Sequence, residues 1–371
     1  MIRFRPTLAE IDLEAVRHNV RTLHPPRAAL MAVVKSNGYG HGAVPVARAA
    51  LSAGAEWLGV ALVEEGIALR DAGIEAPILV LSEFPPGSDK DALAAALTPT
   101  VYTEAGLEAL IEAAQALGVS VNVHVKIDTG MHRIGVYPPE RAVDFCRRIR
   151  AAGGELEGLW THFAKSEEDE ETTRTQLALF LQVCEAARAE GFVPRLRHAA
   201  NTAAAMLHPD MHLDVVRVGI GVYGVEPAPG VGSELGLRPA LSWRSAVSLV
   251  RRLPRGHRLS YGHRYELERD SVVATVPVGY ADGYPRSLTN RAHVLIRGKR
   301  YPVAGTVTMD QLMVDCGDDH VQAGDEVVLI GRQGTEEIGA AELAELAGTI
   351  GYEIVCGISE RVPREYMEEG E

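Results

Sequence analysis

The sequence has few of the features that mark a secreted, membrane-spanning or metal-binding protein. Its 371 residues include only four cysteines, Cys146, Cys184, Cys316 and Cys356, and no two of them form a CxxC pair. This scatter argues against a disulfide framework or a zinc site and favours reduced thiols in a cytosol. No apolar run approaches the length of a membrane span, and residues 1–6 contain no signal-like apolar core. We therefore expect a cytoplasmic protein without a metal site.

Basic charge is also scarce. The chain has 37 lysines and arginines against 50 aspartates and glutamates, a net charge of −13, and its basic residues form no block. Such a balance argues against broad attraction to nucleic acid or to an anionic membrane. Internal repeats and low-complexity segments are absent from the sequence as well. The length and the 46% hydrophobic content are those of a globular protein with one large domain and a smaller one.

Short apolar runs alternate with helical patterns over the first two thirds of the chain. The eight runs are 29–35, 57–62, 78–82, 97–102, 121–128, 156–163, 195–200 and 215–223. Eight strands alternating with helices over about 220 residues predict an α/β fold of the (β/α)8 TIM-barrel type. A doubly wound sheet is the alternative reading of alternating strands and helices.

The pattern changes near Arg238 and Pro239, where strands lengthen and helices almost vanish. Only 340–347 looks helical beyond this point. We expect a barrel domain over residues 1–237 and a mostly β C-terminal domain over residues 238–371. The predicted strands of the second domain are 242–251, 258–261, 271–278, 292–296, 301–303, 307–315 and 326–329.

One lysine, Lys35, ends the first apolar run. Desolvation at the end of a buried strand lowers the pKa of a lysine and favours the neutral amine that attacks carbonyls. The loop that follows contains Tyr39 and the glycines Gly38, Gly40 and Gly42, where backbone can approach a ligand closely. The alternative is a lysine whose charged end reaches solvent at the strand rim and carries no chemistry.

Polar residues also end other predicted strands, at the rim where a barrel holds its active site. Each has a structural alternative: Lys126 could cap its strand, His162 could be a core histidine and Arg217 could belong to an ion pair. Asn201 and Thr202 could form an ordinary helix N-cap. Because five strands place such groups at the same end, we favour an active site over separate structural roles.

Two features of this rim favour a phosphate-bearing ligand. The eighth run contains Gly219, Ile220 and Gly221, whose backbone amides can face an anion, and Thr202 lies at a predicted helix start. A reactive lysine beside a phosphate site suggests pyridoxal 5′-phosphate bound as a Schiff base.

The motifs around these residues resemble those of the alanine racemase family. Residues 32–42 read AVVKSNGYGHG, similar to the pyridoxal-phosphate signature of that family. Further similarity follows in order across both predicted domains. The matching segments are 5–12 (RPTLAEID), 126–133 (KIDTGMHR), 160–164 (WTHFA), 198–201 (HAAN), 217–224 (RVGIGVYG), 259–262 (LSYG), 278–284 (VGYADGY), 309–311 (MDQ) and 358–364 (ISERVPR).

The resemblance implies an alanine racemase that makes D-alanine for peptidoglycan and works as a head-to-tail homodimer with shared active sites. It implies Lys35 as the aldimine lysine and the base on the D face, and Tyr261 of the partner subunit as the base on the L face. Arg217 would bind the pyridine nitrogen, supported by His162. The other positions matched to the family are Tyr39, Asn201, Thr202, Gly219, Ile220 and Tyr352 for the cofactor, Arg133 and Met309 for the substrate carboxylate, Lys126 as a lysine that is often carbamylated, and Asp310 at the rim.

Departures from the family pattern are few and remove no catalytic group. Thr306 stands where the entryway often carries arginine, and Thr308 stands where many members have cysteine; Ser36 and Gly38 replace commoner alanines. The alternatives are a broader or serine-directed racemase, a decarboxylase of the same fold type and a non-catalytic pyridoxal-phosphate-binding protein. Pocket contacts often discriminate between such substrates by only about 1–3 kcal/mol, so the sequence leaves substrate breadth open.

Overall fold

The first part of the chain folds into the predicted barrel. A computed structural model describes residues 5–368; residues 1–4 and 369–371, which the predicted domain bounds include, lie outside the described residues. Eight parallel strands coincide with the eight predicted apolar runs, and we number them as barrel strands one to eight. They are Ala29–Val33, Trp57–Val60, Ile78–Val80, Thr100–Val101, Asn122–Lys126, Glu155–Trp160, Leu196–His198 and Val215–Val218.

Two four-stranded arcs make up the barrel wall, one in the order three-two-one-eight and the other four-five-six-seven. A parallel bridge from Leu79 to Thr98 joins one seam. At the other seam the backbone N–H of Arg217 donates to the carbonyl of Ala200 at 3.0 Å. Strands that are buried on both faces need continuous apolar runs, which is why these strands could be predicted from the sequence.

Helices cover the outside of the barrel. Asp12 accepts from the backbone N–H of Ala15 at 2.9 Å and so caps the first helix, whose Val16 and Val20 are buried. Within residues 5–368 no helix combines the length and apolarity that crossing a bilayer requires. The barrel helices are Leu13–Leu23, Ala43–Ser52, Val63–Asp71, Asp89–Ala94, Glu104–Leu117, Ala142–Ala151, Glu170–Ala189 and Thr202–Leu207, with a helical turn at Lys35–Tyr39.

The remainder of the chain is mostly β, as predicted. Its largest sheet has the strand order Lys299–Pro302, His293–Ile296, Glu326–Gln333, Leu241–Ala246, Leu8–Asp12 and Arg364–Met367, with Glu336–Ile338 beside Glu326–Gln333. A second sheet and a hairpin complete the domain. They are formed by Leu249–Leu253, Ser271–Val276 and Leu312–Asp315, and by Arg258–Leu259 with Tyr265–Glu266.

Several strand and helix predictions for this part were wrong in detail. The run 242–251 is two strands because the chain turns at Val247 and Ser248, whose N–H groups bond to Asp325 and Thr275 rather than continuing one ladder. The run 307–315 is a strand only at Leu312–Asp315. A second helix, Gly351–Gly357, follows the predicted Ala340–Ala347.

The first strand of the chain, Leu8–Asp12, belongs to the large sheet of the second domain. It pairs antiparallel with Leu241–Ala246 and parallel with Arg364–Met367. The division at residues 237 and 238 stays a prediction, and the structure adds that the chain crosses between the two parts at both ends of the barrel. The C-terminal strand thereby reaches the turn that carries Lys35.

Candidate active site

Lys35 begins an unusual turn at the end of the first barrel strand. Ser36, Asn37, Gly38 and Tyr39 all adopt left-handed backbone, with φ between 50° and 61°. Such conformations cost free energy in non-glycine residues and concentrate at functional sites. The carboxylate of Glu65 supports the turn, since its Oε1 accepts the backbone N–H of Ser36 at 2.5 Å.

The second domain packs directly against this turn. A Cβ on Gly40 would overlap the carbonyl oxygen of Val355, and one on Gly42 would overlap the hydroxyl of Tyr366, so both positions require glycine. Arg364 donates from Nε to the carbonyl of Gly40 at 2.9 Å. The lysine loop is therefore held by the C-terminal strand and by helix Gly351–Gly357.

Arg217, on the eighth strand, is the most firmly held side chain of the rim. It is 3% exposed, and the next strand in the sheet is the one that leads to Lys35. Its Nη2 donates to the carbonyls of Thr161 at 2.8 Å and Ala199 at 2.9 Å, and to Nδ1 of His162 at 3.1 Å. Burial lowers the pKa of Arg217 to about 9, which leaves the guanidinium cationic at neutral pH.

A line of buried histidines continues from this arginine. Arg217 Nη1 donates to His198 Nδ1 at 3.0 Å, and His198 Nε2 lies 2.9 Å from His124 Nδ1. Because a guanidinium can only donate, both histidines must carry their proton on Nε2. His124 Nε2 then faces Glu157 Oε2 at 3.5 Å, and Glu157 also pairs with Arg195. Burial lowers the pKa of both histidines, so the line is neutral between a cation and a carboxylate.

Five cationic or titratable groups surround the barrel mouth. Burial, and then the charge of Arg133, lowers the pKa of Lys35. Burial, with Arg217 and Arg133, lowers the pKa of Lys126 to about 7. His162 has a pKa held well below its usual range by burial, Arg217 and Lys126. Lys35, Lys126, His162 and Arg217, which the strand-end argument placed at one rim, thus act on one another electrostatically. Arg133, which the family resemblance added, acts on the first three of them.

Lys126 and Arg133 both lack a carboxylate partner within the described residues. The Nζ of Lys126 lies 4.4 Å from the centroid of the Trp160 ring, which also faces Arg217 at 4.7 Å. The guanidinium of Arg133 makes no hydrogen bond to residues 5–368, and its loop is shaped by Asp128, which accepts the N–H groups of Gly130 and His132. Arg133 is exposed, and its guanidinium can pair with an anionic group such as a carboxylate.

A second corner of the rim has the shape of an anion cradle. A Cβ on Gly219 would lie 2.5 Å from the hydroxyl of Tyr39, so this glycine admits the phenol. The Gly219 N–H donates to Thr202 Oγ1 at 2.9 Å, where helix Thr202–Leu207 begins. The Tyr352 ring lies 6.1 Å from that of Tyr39. Ile220 opens the next helical turn, so two helical N-termini meet here.

Asn201 has the capping role that sequence analysis offered as its alternative. Its Oδ1 accepts the N–H of Ala204 at 3.0 Å and the hydroxyl of Ser166 at 2.8 Å. Asn201 therefore orients the helix start at Thr202. Its role toward the cofactor stays a prediction.

Three predicted site residues, all in the second domain, stand apart from this cluster. Tyr261 is 75% exposed and Met309 is 53% exposed. Asp310 accepts from Arg361 at 2.8 Å on the surface. No hydrogen bond, ring contact or electrostatic interaction recorded within residues 5–368 links Tyr261 to Lys35. One chain therefore does not bring all the predicted residues together.

Sequence reasoning assigned no role to several residues that hold the site. His124 and Glu157 lie inside predicted strands, and Glu65 lies inside a helix, so none of them marks a strand end. Arg364 and His198 fell within matched motifs without a stated function. The available signal was a charged or titratable residue inside an apolar strand, which must find a partner when buried.

Comparisons with known proteins agree with this geometry. Residues 11–227 match the family model described as "Alanine racemase, N-terminal domain", and residues 240–366 match "Alanine racemase, C-terminal domain". An alanine racemase of Symbiobacterium thermophilum is 54% identical over 368 residues, covering 98% of this chain and 97% of the relative.

Solved structures of the same family superpose over nearly the whole chain. An alanine racemase from D-cycloserine-producing Streptomyces lavendulae matches with a TM-score of 0.95 and 44% identity, covering 99% of this chain and 98% of that one. The Bacillus anthracis alanine racemase with bound L-Ala-P matches with a TM-score of 0.94 and 38% identity, covering 100% and 97%. With both domains matched in order and the predicted rim in place, the chain belongs to the alanine racemase family.

Proposed function

We propose that this chain interconverts L-alanine and D-alanine by two-base proton transfer, with pyridoxal 5′-phosphate held at the carboxyl ends of the barrel strands. The observation that carries the proposal is the buried Arg217, held by four hydrogen bonds on the strand next to the one that leads to Lys35. Alanine racemases are pyridoxal-phosphate enzymes, and the chain belongs to that family. Nothing in the comparisons favours the alternative of a broader or serine-directed racemase.

The residues of the rim fit this cofactor. The space that a Cβ on Gly219 would fill leaves room for the Tyr39 hydroxyl to meet a phosphate. The Thr202 hydroxyl accepts the Gly219 N–H and keeps its own proton to donate, and Ile220 and Tyr352 border the same corner. Within residues 5–368 the hydrogen bonds of Arg217 all use Nη1 and Nη2, so Nε can donate to the pyridine nitrogen. Lys35 would hold the aldehyde carbon, with His162 and Asn201 supporting the ring and the phosphate corner.

When bound, the cofactor supplies an electron-withdrawing ring that acidifies the Cα–H of the attached substrate. The protein must then remove a proton from one face of Cα and return one to the other. The family resemblance assigns Lys35 to the D face, and burial lowers the pKa of its amine, which favours the neutral form that accepts a proton. Tyr261 of the partner subunit would serve the L face.

Arg217 would limit how far the ring withdraws electrons. A guanidinium does not readily give its proton to the pyridine nitrogen, whereas a carboxylic acid would. Four hydrogen bonds and the neutral histidine line keep this cation in place. We infer that the arrangement favours reprotonation at Cα over side reactions such as transamination.

Substrate would be held by its carboxylate. Arg133 offers an unpaired guanidinium, and Lys126 stands near it with a pKa of about 7. A neutral amine at this pKa can add carbon dioxide, and the resulting carbamate would pair with Arg133 and orient it. Met309 and Asp310 would complete the rim from the partner subunit.

The division of these residues between two regions of the chain supports our proposal of a head-to-tail homodimer with shared active sites. Tyr261, Met309 and Asp310 lie exposed on the second domain, while Lys35 and Arg217 lie at the barrel mouth of the same chain. The second domain of one copy would cover the barrel mouth of the other. We place this enzyme in the cytoplasm, with D-alanine for peptidoglycan as its product.

Borohydride reduction of the cofactor-loaded protein tests the proposal. Reduction should fix the cofactor on Lys35, as peptide mapping would reveal, and Lys35→Ala should abolish racemisation of both enantiomers. Lys90→Ala, in the exposed part of helix Asp89–Ala94, is the matched control and should leave both results unchanged. Reduction at another lysine, or racemisation by Lys35→Ala, would overturn the assignment.

A further inference from the structure

The segment that presents Tyr261 has strained backbone. Ser260 has φ 60° and ψ −174°, a region that essentially only glycine populates. Gly262 and His263 follow with φ of 72° and 49°. A non-glycine residue in such a conformation costs about 1–3 kcal/mol and persists only where the surroundings hold it in place. Since the Tyr261 ring is 75% exposed, its position depends on this backbone.

Two reciprocal hydrogen bonds tie this segment to a buried threonine. Ser260 Oγ donates to the carbonyl of Thr306 at 2.7 Å, and Thr306 Oγ1 donates to the carbonyl of Tyr261 at 2.7 Å. Thr306 is only 4% exposed. Sequence analysis identified Thr306 as a departure from the family pattern at the entryway. In the structure its hydroxyl is hydrogen-bonded to the backbone of Tyr261.

The segment that carries Thr306, which follows strand Lys299–Pro302, is itself held by neighbouring residues. A Cβ on Gly305 would lie 2.8 Å from Ser260 Cβ and 2.9 Å from the carbonyl oxygen of Leu259, so the two segments touch backbone to backbone. Asn290 Oδ1 accepts the Gly305 N–H at 2.6 Å, and Asn290 Nδ2 donates to Arg264 on the far side of Tyr261. Hydrogen bonds therefore hold the chain on both sides of Tyr261.

We propose that Ser260 and Thr306 are positioning residues for proton transfer by Tyr261. They fix the tyrosine backbone through their paired hydrogen bonds, so that an otherwise exposed ring meets the L face of the substrate in the partner subunit. This inference rests on the proposed role of Tyr261 as the second base. A misplacement of about 1 Å can cost 100-fold in rate, so loss of one of two bonds should be visible in kinetics.

Substrate isotope effects on the dimeric, cofactor-loaded enzyme test the proposal. In Thr306→Val the hydroxyl is lost at similar volume, and we expect kcat to fall roughly tenfold. Abstraction by Tyr261 becomes more rate-limiting, so the isotope effect with [2-²H]-L-alanine should rise. In the reverse direction Lys35 removes the proton at an unchanged rate and Tyr261 then returns one more slowly. Abstraction by Lys35 is therefore less rate-limiting, and the isotope effect with [2-²H]-D-alanine should fall. Thr306→Ser restores the donor and should return both values toward wild type.

Ser260→Ala removes the other bond and should shift the isotope effects in the same directions. The matched control is Ser271→Ala, because the Ser271 hydroxyl also donates to a backbone carbonyl of this domain, that of Arg269. The control should leave both isotope effects at wild-type values.

Two results would overturn the inference, and they differ. If Thr306→Val and Ser260→Ala lower activity but leave both isotope effects unchanged, the bonds have only a structural role and Tyr261 keeps its assignment. If Tyr261→Phe keeps wild-type racemisation with unchanged isotope effects, the two-base proposal fails and takes this inference with it.

Discussion

Adding one methyl group at Gly219 should weaken cofactor binding through Tyr39. The new Cβ would lie 2.5 Å from the Tyr39 hydroxyl and 3.2 Å from its Cζ. Ordinary carbon contacts begin near 3.5 Å, so the hydroxyl must move by roughly 1 Å. Tyr39 is buried, and its ring lies 4.9 Å from that of Tyr223, so it cannot swing away freely. The displaced hydroxyl would lose its bond to the phosphate.

A hydrogen bond to a charged group contributes about 1.5–3 kcal/mol, so Gly219→Ala should weaken pyridoxal-phosphate binding about 10- to 150-fold. The assay is titration of the apo-protein with the cofactor, followed by absorbance. Gly339→Ala is the control, because a Cβ there meets nothing closer than 4.0 Å. Tyr39→Phe should weaken binding to a similar degree, and adding Gly219→Ala to it should have little further effect. Wild-type affinity in Gly219→Ala, or full additivity of the two changes, would refute the claim that Gly219 makes room for Tyr39 to bind the phosphate.

Three further perturbations test other parts of the site. Lys126 should form a carbamate in ¹³C-bicarbonate, giving a ¹³C NMR signal that Lys126→Ala lacks. Because the pKa of Lys126 is about 7, protonation of the amine should erase the signal as pH falls below 7, and a signal that persists at pH 5 would contradict this account. His198→Leu leaves a buried Arg217 donor unpaired, so urea unfolding should report a loss of about 1–3 kcal/mol, whereas unchanged stability would remove the histidine line from the argument. Arg217→Glu should slow racemisation and increase pyruvate formed by transamination, and unchanged rates of both would refute the proposed role of the guanidinium.

The barrel and much of its rim could be predicted because their signals are local. A strand buried on both faces must be apolar, so a charged residue at its end, such as Lys35, is conspicuous. Parallel strands bring those ends together without any knowledge of pairing partners. The lysine, histidine and arginine of three different strands could therefore be expected at one place.

Other features depend on partners far along the chain and gave no local signal. Leu8–Asp12 joins a sheet whose other strands lie more than 220 residues later, and an isolated strand pattern does not name its partner. The roles of His124 and Glu157 emerge only in the fold, where the fifth barrel strand places His124 against His198 and the sixth places Glu157 against His124. The strained backbone of Ser260 is likewise invisible in sequence, because serine is not a residue that predicts it.

The central claim is that two copies complete each active site, with Lys35 from one and Tyr261 from the other. Mixing inactive Lys35→Ala protein with Tyr261→Phe protein tests it, after partial unfolding and refolding to exchange subunits. Random pairing gives half heterodimers, each with one intact site of two, so about a quarter of wild-type racemase activity should return. Activity no higher than that of the two separate variants, with heterodimers present by native mass spectrometry, would contradict the account.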